Sequence, residues 1–365
     1  MSLHLIGMGT AVPEGTASRE EGLAVARAFC PSLRESTWLP AVYHQTGIDK
    51  RHQTLGSELL ADLLNGTEVS DSPFLPQRFT HERGPSTAQR MQIYSENAPK
   101  LALEASRKAL AESRTDPQSI RHLITVSCTG FLAPGIDTIL MKNLGLSPRV
   151  ERTHIGFMGC HAALNGLRVA DAFVRADPKA KVLLAAVELC SLHFNFTNDP
   201  EKQVANALFA DGAAALVGEN SEADDSWQVR STGSCLLPNS QEAMSWSVGD
   251  HGFEMTLSRK IPGIIAKHLR PWLEDWLAQS GFSLNQIRSW AVHPGGPRIL
   301  SAVEEGLNFS VEELKTSRQI FREFGNMSSP TVLFILQRLR EQNAPRPCVT
   351  LGFGPGMVVE GALLV

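Results

Sequence analysis

Cys160 lies in Gly156-Phe157-Met158-Gly159-Cys160-His161-Ala162-Ala163, a glycine-flanked turn that runs into an apolar helical stretch. A thiol at a helix start meets the positive end of the helix dipole and unpaired backbone N–H groups, and both favour the thiolate. Two later segments carry side chains that complement a thiolate. Ala291-Val292-His293-Pro294-Gly295-Gly296-Pro297 presents His293 at the end of an apolar run, and Phe324-Gly325-Asn326-Met327-Ser328-Ser329-Pro330 presents Asn326 after a glycine. A sulfur nucleophile with an imidazole and a carboxamide can take an acyl group from a thioester and stabilise charge on a carbonyl oxygen, which is the chemistry of carbon–carbon bond formation on thioesters. Each residue also has an ordinary reading: a small buried hydrophobe for Cys160, a strand-end histidine satisfied by backbone for His293, a helix N-cap for Asn326. The combination favours catalysis over all three.

A duplication would bring these distant segments together. Ile120–Val126 resembles Ile287–His293 at an offset of 167, each a strand-like run preceded by a helical stretch. Cys160 and Asn326 both follow a glycine and open an apolar helix, 166 apart, and Val182 and Val349 in the next strand-like runs are again 167 apart. The last pair, Gly212–Val217 and Gly361–Val365, is only 149 apart, which places extra chain within 191–210 of the first copy. Two copies of a helix–strand–helix–strand unit put Cys160 and Asn326 at facing, pseudo-equivalent helix N-termini. His293 then ends a strand at the same centre, where open α/β sheets place their sites. Strands alternating with helices give an α/β layered class. The polar, acidic stretch 219–228 marks the boundary, dividing the chain into halves 1–222 and 223–365, and the turn-rich stretch 66–85 reads as a surface excursion.

Composition narrows the partners. With 42% hydrophobic and 20% charged residues, 365 residues can bury a sizeable core. The net charge of −4 has no basic block behind it, which argues against nucleic acid and a membrane surface. No apolar run approaches the roughly 18 residues of a membrane span, and the first residues lack the regions of a signal peptide. Six cysteines without paired spacing read as reduced thiols in the cytoplasm. No Cys or His stands at ligand spacing from Cys160-His161, so no metal is expected. Gly7-Met8-Gly9 lacks the third glycine and the acidic ribose partner of a dinucleotide loop.

As a set, the Cys160 segment, His293-Pro294-Gly295-Gly296-Pro297, Gly325-Asn326-Met327-Ser328-Ser329 and Gly352-Phe353-Gly354-Pro355-Gly356 resemble type III polyketide synthases of bacterial type. These are the chalcone and stilbene synthase-like enzymes of the thiolase superfamily, and the resemblance runs from about Ile48 to Val365. β-Ketoacyl carrier-protein synthase III uses the same three residue types, but usually in His-Gln-Ala-Asn and Gly-Asn-Thr-Ser contexts. The resemblance implies a thiolase-like αβαβα fold of two duplicated halves and a homodimer. It also implies acyl-CoA and malonyl-CoA as substrates without a further cofactor, and a linear polyketide closed to a pyrone or phenolic ring.

By the same resemblance Cys160 takes the starter acyl group, while His293 and Asn326 donate hydrogen bonds to the thioester oxygen that becomes an enolate oxygen when malonyl-CoA loses CO₂. Decarboxylation makes the carbanion, so no general base is required, which fits the absence of an obvious buried carboxylate next to Cys160. Phe209 matches the family's gatekeeper aromatic, and Met255 replaces a second phenylalanine. Cys128, Cys190 and His193 fall where chalcone synthases carry threonines, and Ser328 keeps a small residue near the cyclisation pocket. Ala133 replaces a methionine that reaches into the partner subunit's cavity; the lost bulk suggests a tunnel for an acyl tail unless Leu132 or Phe131 fills it. Lys50 and Arg51 are the nearest in register to the family's CoA-phosphate cations, and equally read as a solvated turn. Alkylpyrones or alkylresorcinols from fatty acyl-CoA are the expected products. Behind them stand a malonyl-primed tetrahydroxynaphthalene-type product, which the cysteine pair 128 and 190 would suit, a single-round β-ketoacyl synthase, and a non-catalytic thiolase-fold binding partner.

Overall fold

A computed structural model describes residues 1–76, 78, 82–221 and 226–365. The boundary expected between 222 and 223 falls outside the described residues, as does part of the stretch 66–85. Within that stretch Phe74 and Leu75 are buried in the core, and the Asp62 carboxylate holds Thr67, Val69 and Ser70, so the expected surface excursion is in part a packed segment.

The first half contributes β1 (His4–Ala11), α1 (Thr87–Ser113), β2 (Ile120–Ser127), β3 (Glu151–Gly156), α2 (Ala162–Ala176), β4 (Lys181–Leu189), α3 (Pro200–Leu208) and β5 (Asp211–Glu219). The second contributes β6 (Trp227–Leu236), the hairpin β7 (Met244–Gly249) and β8 (Gly252–Leu257), α4 (Ile261–Gln279), β9 (Ser289–Val292), α5 (Pro297–Leu307), α6 (Pro330–Glu341), β10 (Cys348–Gly354) and β11 (Val358–Leu364). Strands β2-β4-β5-β1 and β9-β10-β11-β6 follow the same order. In each set the first pair is parallel and the next two are antiparallel. The two sets touch where β1 meets β6 through the pairs His4–Gln228 and Leu5–Trp227. The offset of 167 residues is therefore a repeat of topology.

The layers follow from the burial of these runs. Strands β4, β5, β10 and β11 are apolar and enclosed on both faces, so they read as continuous hydrophobic stretches. Helices α2 and α6 form the middle layer: Ala163, Leu167, Leu333 and Leu336 pack between Val126 and Leu184 of one set of strands and Ala291 and Ala362 of the other. Helix α1 covers one outer face, and α4 with α5 the opposite one, giving the αβαβα stack. Gly7 and Gly9 serve this stack: a Cβ on either would lie 2.4 Å from a carbonyl oxygen of α1.

Candidate active site

The turn before α2 is built for close approach. Gly159 has φ +79°, and a Cβ there would lie 2.3 Å from Pro355 of the Gly352–Gly356 turn in the other half. Cys160 follows, buried, and His161 stands at the helix N-cap with Nδ1 2.9 Å from Asn165 Oδ1. The equivalent turn before α6 has Gly325 at φ +76°. It is stitched to the end of α3: Asn326 N–H donates to Leu208 O at 2.9 Å and Ala210 N–H donates to Asn326 O at 2.9 Å, a one-residue parallel bridge beside Phe209.

The Asn326 carboxamide has a fixed orientation. Its Oδ1 accepts the Ser328 N–H at 2.8 Å, so Nδ2 is the donor, and it reaches Gly295 O at 3.3 Å; the Asn326 and Ser328 side chains both favour the charged form of the Cys160 sulfur. His293 ends β9, wholly buried, with its N–H on Leu351 O at 2.8 Å and no hydrogen-bond partner on either ring nitrogen. His161 is its electrostatic neighbour. Asn326 thus acts on the Cys160 thiol, and His161, the residue after the cysteine, acts on His293.

Two expectations need correction. Burial pushes the Cys160 thiol up to about 11; hydrogen bonds from Ser328 and Asn326 pull the other way, and the Glu188 carboxylate adds to the rise. The dry enclosure outweighs the helix terminus and favours the thiol over the thiolate. Burial, with a contribution from His161, likewise holds His293 neutral down to about 3. Second, a buried carboxylate does stand near Cys160. Glu188, at the end of β4, accepts hydrogen bonds from Cys128 N–H at 2.9 Å, Thr129 Oγ1 at 2.7 Å and Ser329 Oγ at 2.9 Å, yet burial still raises its pKa. Its only sequence signal is an acidic residue closing an apolar strand.

Cys160 opens on a cavity of about 40 Å³ that Phe209, Met255, Cys128, Cys190, His193 and Ser328 also line. Cys128 Sγ lies 3.5 Å from Ser328 Oγ. Trp246, which the sequence reading missed, forms part of the wall and donates Nε1–H to Cys128 O at 2.8 Å. His193 has no free nitrogen: Nε2 donates to Thr129 O at 2.6 Å and Nδ1 accepts from Phe253 N–H at 3.0 Å. Ala133 is exposed and does not line this cavity, so the expected tunnel does not open there within one chain; its neighbour Phe131 is 54% exposed.

A second cavity of about 410 Å³ shares Met244 with the first and is bordered by Leu208, Leu257, Gly295 and Gly296, with Arg259 and Arg298 also on its lining. Lys50 is exposed, whereas Arg51 is buried and donates to main-chain carbonyls of Asn206 and Phe209; the solvated-turn reading fails for it. Among the described residues no helix is long and apolar enough to cross a membrane.

Comparisons with known proteins bear on the whole chain. Residues 4–221 match the family model for the N-terminal domain of chalcone and stilbene synthases, and residues 228–365 match the model for the C-terminal domain. The chain is 34% identical over 369 residues to the alpha-pyrone synthesis polyketide synthase-like Pks18 of Mycobacterium tuberculosis, spanning 98% of this chain and 89% of that one. It is 30% identical to type III polyketide synthase C of Arabidopsis thaliana, spanning 99% and 94%. The crystal structure of PKS-I from the brown alga Ectocarpus siliculosus superposes with a TM-score of 0.91 at 32% identity, covering 100% of this chain and 98% of that one.

Proposed function

This chain belongs to the chalcone and stilbene synthase family, the type III polyketide synthases, and from that premise we propose that it loads an acyl-CoA starter on Cys160, extends it repeatedly with malonyl-CoA and closes the chain to a pyrone or phenolic ring. The observation that carries the reading is that Cys160, at the start of α2, lines one cavity with Phe209 and Ser328, the residues that bridge to Asn326 and fix its amide.

In this reading the unpartnered His293 imidazole takes the thiol proton as sulfur attacks the starter thioester, and CoA leaves as its thiol. Malonyl-CoA then places its carbonyl oxygen between His293 and Asn326. Loss of CO₂ leaves an enolate held by those two donors, and its carbon attacks the acyl-cysteine to release a β-ketoacyl-CoA and the free cysteine. Removing one such donor costs about 3 kcal/mol of transition-state stabilisation. The CoA arm lies in the larger cavity, where Arg259 and Arg298 meet its phosphates. The exposed apolar side chains Phe131 and Met158 suit burial in a homodimer, and the protein acts in the cytoplasm.

Two starter classes have support. The alpha-pyrone synthesis in the name of the mycobacterial relative supports a pyrone product, which in the first class is an alkylpyrone, with alkylresorcinol beside it, from a fatty-acyl starter. The cavity favours a malonyl-sized starter and a small aromatic product, because about 40 Å³ holds on the order of three waters and Trp246 is fixed across it. Incubation with malonyl-CoA and a starter series from malonyl to palmitoyl, with product masses read out, decides between them. Products only from malonyl or acetyl starters, with longer chains accepted after Trp246→Gly, support the second class. Efficient use of palmitoyl-CoA by the unaltered enzyme rejects it, and no condensation with any starter rejects the polyketide reading itself.

A further inference from the structure

Arg51 is a buried cation that the proposed chemistry does not use. It occupies the middle of the short strand Lys50–His52, 4% exposed, and its Nη1 donates to Asn206 O and, at 3.2 Å, to Phe209 O. These carbonyls lie at the C-terminal end of α3, where main-chain acceptors lack helical partners and the dipole is negative. The Asp211 carboxylate attracts Arg51 electrostatically, but its oxygens are taken by Ser191 and Thr54. Among the described residues no carboxylate is within ion-pair distance of Arg51. A cation enclosed this way is expensive unless its donors are used, and here the named acceptors are the carbonyls around the gatekeeper turn.

That turn is also the support of Asn326. Leu208 O accepts the Asn326 N–H, and Ala210 N–H donates to Asn326 O. Gly325, the residue before Asn326, approaches Arg51 so closely that a Cβ would lie 3.0 Å from Arg51 Cγ. One arginine side chain therefore spans both sides of the bridge between the halves: its guanidinium donates to the carbonyl of Phe209, and its Cγ methylene packs beside the glycine before Asn326.

We propose that Arg51 is a positioning residue for condensation, holding the end of α3 so that Phe209 stays over the cavity while Asn326 keeps its donor on the reacting carbonyl. The inference rests on the condensing-enzyme reading above. Losing Arg51 frees both at once, so decarboxylation slows and water reaches the acyl-cysteine, which hydrolyses to a carboxylic acid and free Cys160 thiol. Starter loading, which relies on the thiol and His293, is largely spared. Lysine keeps the charge but not the planar fork that spans two carbonyls.

The test uses the full-length protein with Arg51→Gln and Arg51→Lys, acetyl-CoA as starter and malonyl-CoA as extender. Loading and hydrolysis of the acyl-enzyme are followed by intact mass, and condensation by product yield per starter consumed. Arg51→Gln is expected to load within about threefold of the unaltered enzyme but to condense about a hundredfold more slowly, the scale of an ångström-sized misplacement. Hydrolysis is expected to rise, and Arg51→Lys to fall between the two. A general loss of structure lowers loading and condensation together and leaves their ratio unchanged. That outcome in both variants overturns the proposal, as does normal coupling in Arg51→Gln. If the unaltered enzyme loads but never condenses, the condensing reading has failed and not the inference about Arg51.

Discussion

His193 of the first half and His293 of the second are both sealed from solvent, and burial holds both imidazoles neutral down to about 3. They differ in what their nitrogens do. His193 bonds Thr129 O and Phe253 N–H while its ring stacks on Phe253 at 4.1 Å, so it ties the chain after β2 to β8 across the cavity wall. His293 has no partner on either nitrogen. Leaving a buried polar group unpaired costs about 1–3 kcal/mol, a cost that a ligand bonded to His293 would offset. The comparison separates a histidine that shapes the site from the one proposed to act in it, although the pKa of each is displaced in the same direction.

Substitution can break this contrast most sharply. His293→Gln should lower condensation by a hundredfold or more, on the order of one oxyanion donor plus the base that receives the thiol proton, with little loss of stability to urea. His193→Ala should do the reverse to stability. It orphans Phe253 N–H and Thr129 O and removes a packed ring, a loss of about 3 kcal/mol, while the altered cavity wall changes product size more than turnover. Equal urea midpoints for the two variants would remove the distinction. The Asn326 side of the site gives a second, smaller contrast. Asn326→Ala should lose malonyl-CoA decarboxylation by about a hundredfold yet still load starter, whereas Cys160→Ala should do neither; intact-mass detection of the acyl-enzyme separates them.

The parts legible in the sequence are those whose cause is local or periodic. Glycines before Cys160 and Asn326 announce helix-opening turns, and the constant offset between the halves predicts that those turns face one centre; the strand order bears out that symmetry. The misses depend on distant chain. Glu188 is one acidic residue at the end of an apolar strand, and its donors come from Cys128, Thr129 and Ser329. Trp246 sits on a partly exposed hairpin strand with no motif around it, and only the fold carries it against Cys128. Arg51 sits beside an exposed lysine, and nothing local says that its side chain turns inward. The thiolate expectation failed for a related reason: a helix terminus can be read from neighbours in sequence, but desolvation by two stacked halves cannot.

The smallest effect sharpens the comparison through pH. Unfolded chains protonate histidine from about pH 6.5 downward, whereas native His193 and His293 refuse the proton until about pH 3. Between those values the unfolded state binds more protons, so the stability each neutral histidine contributes is present above pH 6.5 and is lost as pH falls towards 3. The slope is about 1.4 kcal/mol per pH unit for each residue. Native Glu188 and Asp211, whose pKa values burial raises, titrate in the opposite sense and are common to every variant. Urea midpoints should therefore fall from pH 7 through 6 to 5, with His193→Ala and His293→Gln each flattening the slope by one histidine's share, so that His193→Ala closes on the unaltered protein while His293→Gln, level with it at pH 7, comes to exceed it. Equal flattening by two residues with opposite effects on turnover and stability is the signature of burial alone. A slope that only His193→Ala changes would mean that His293 is solvated in the native protein, and the unpartnered imidazole would no longer distinguish the reacting histidine.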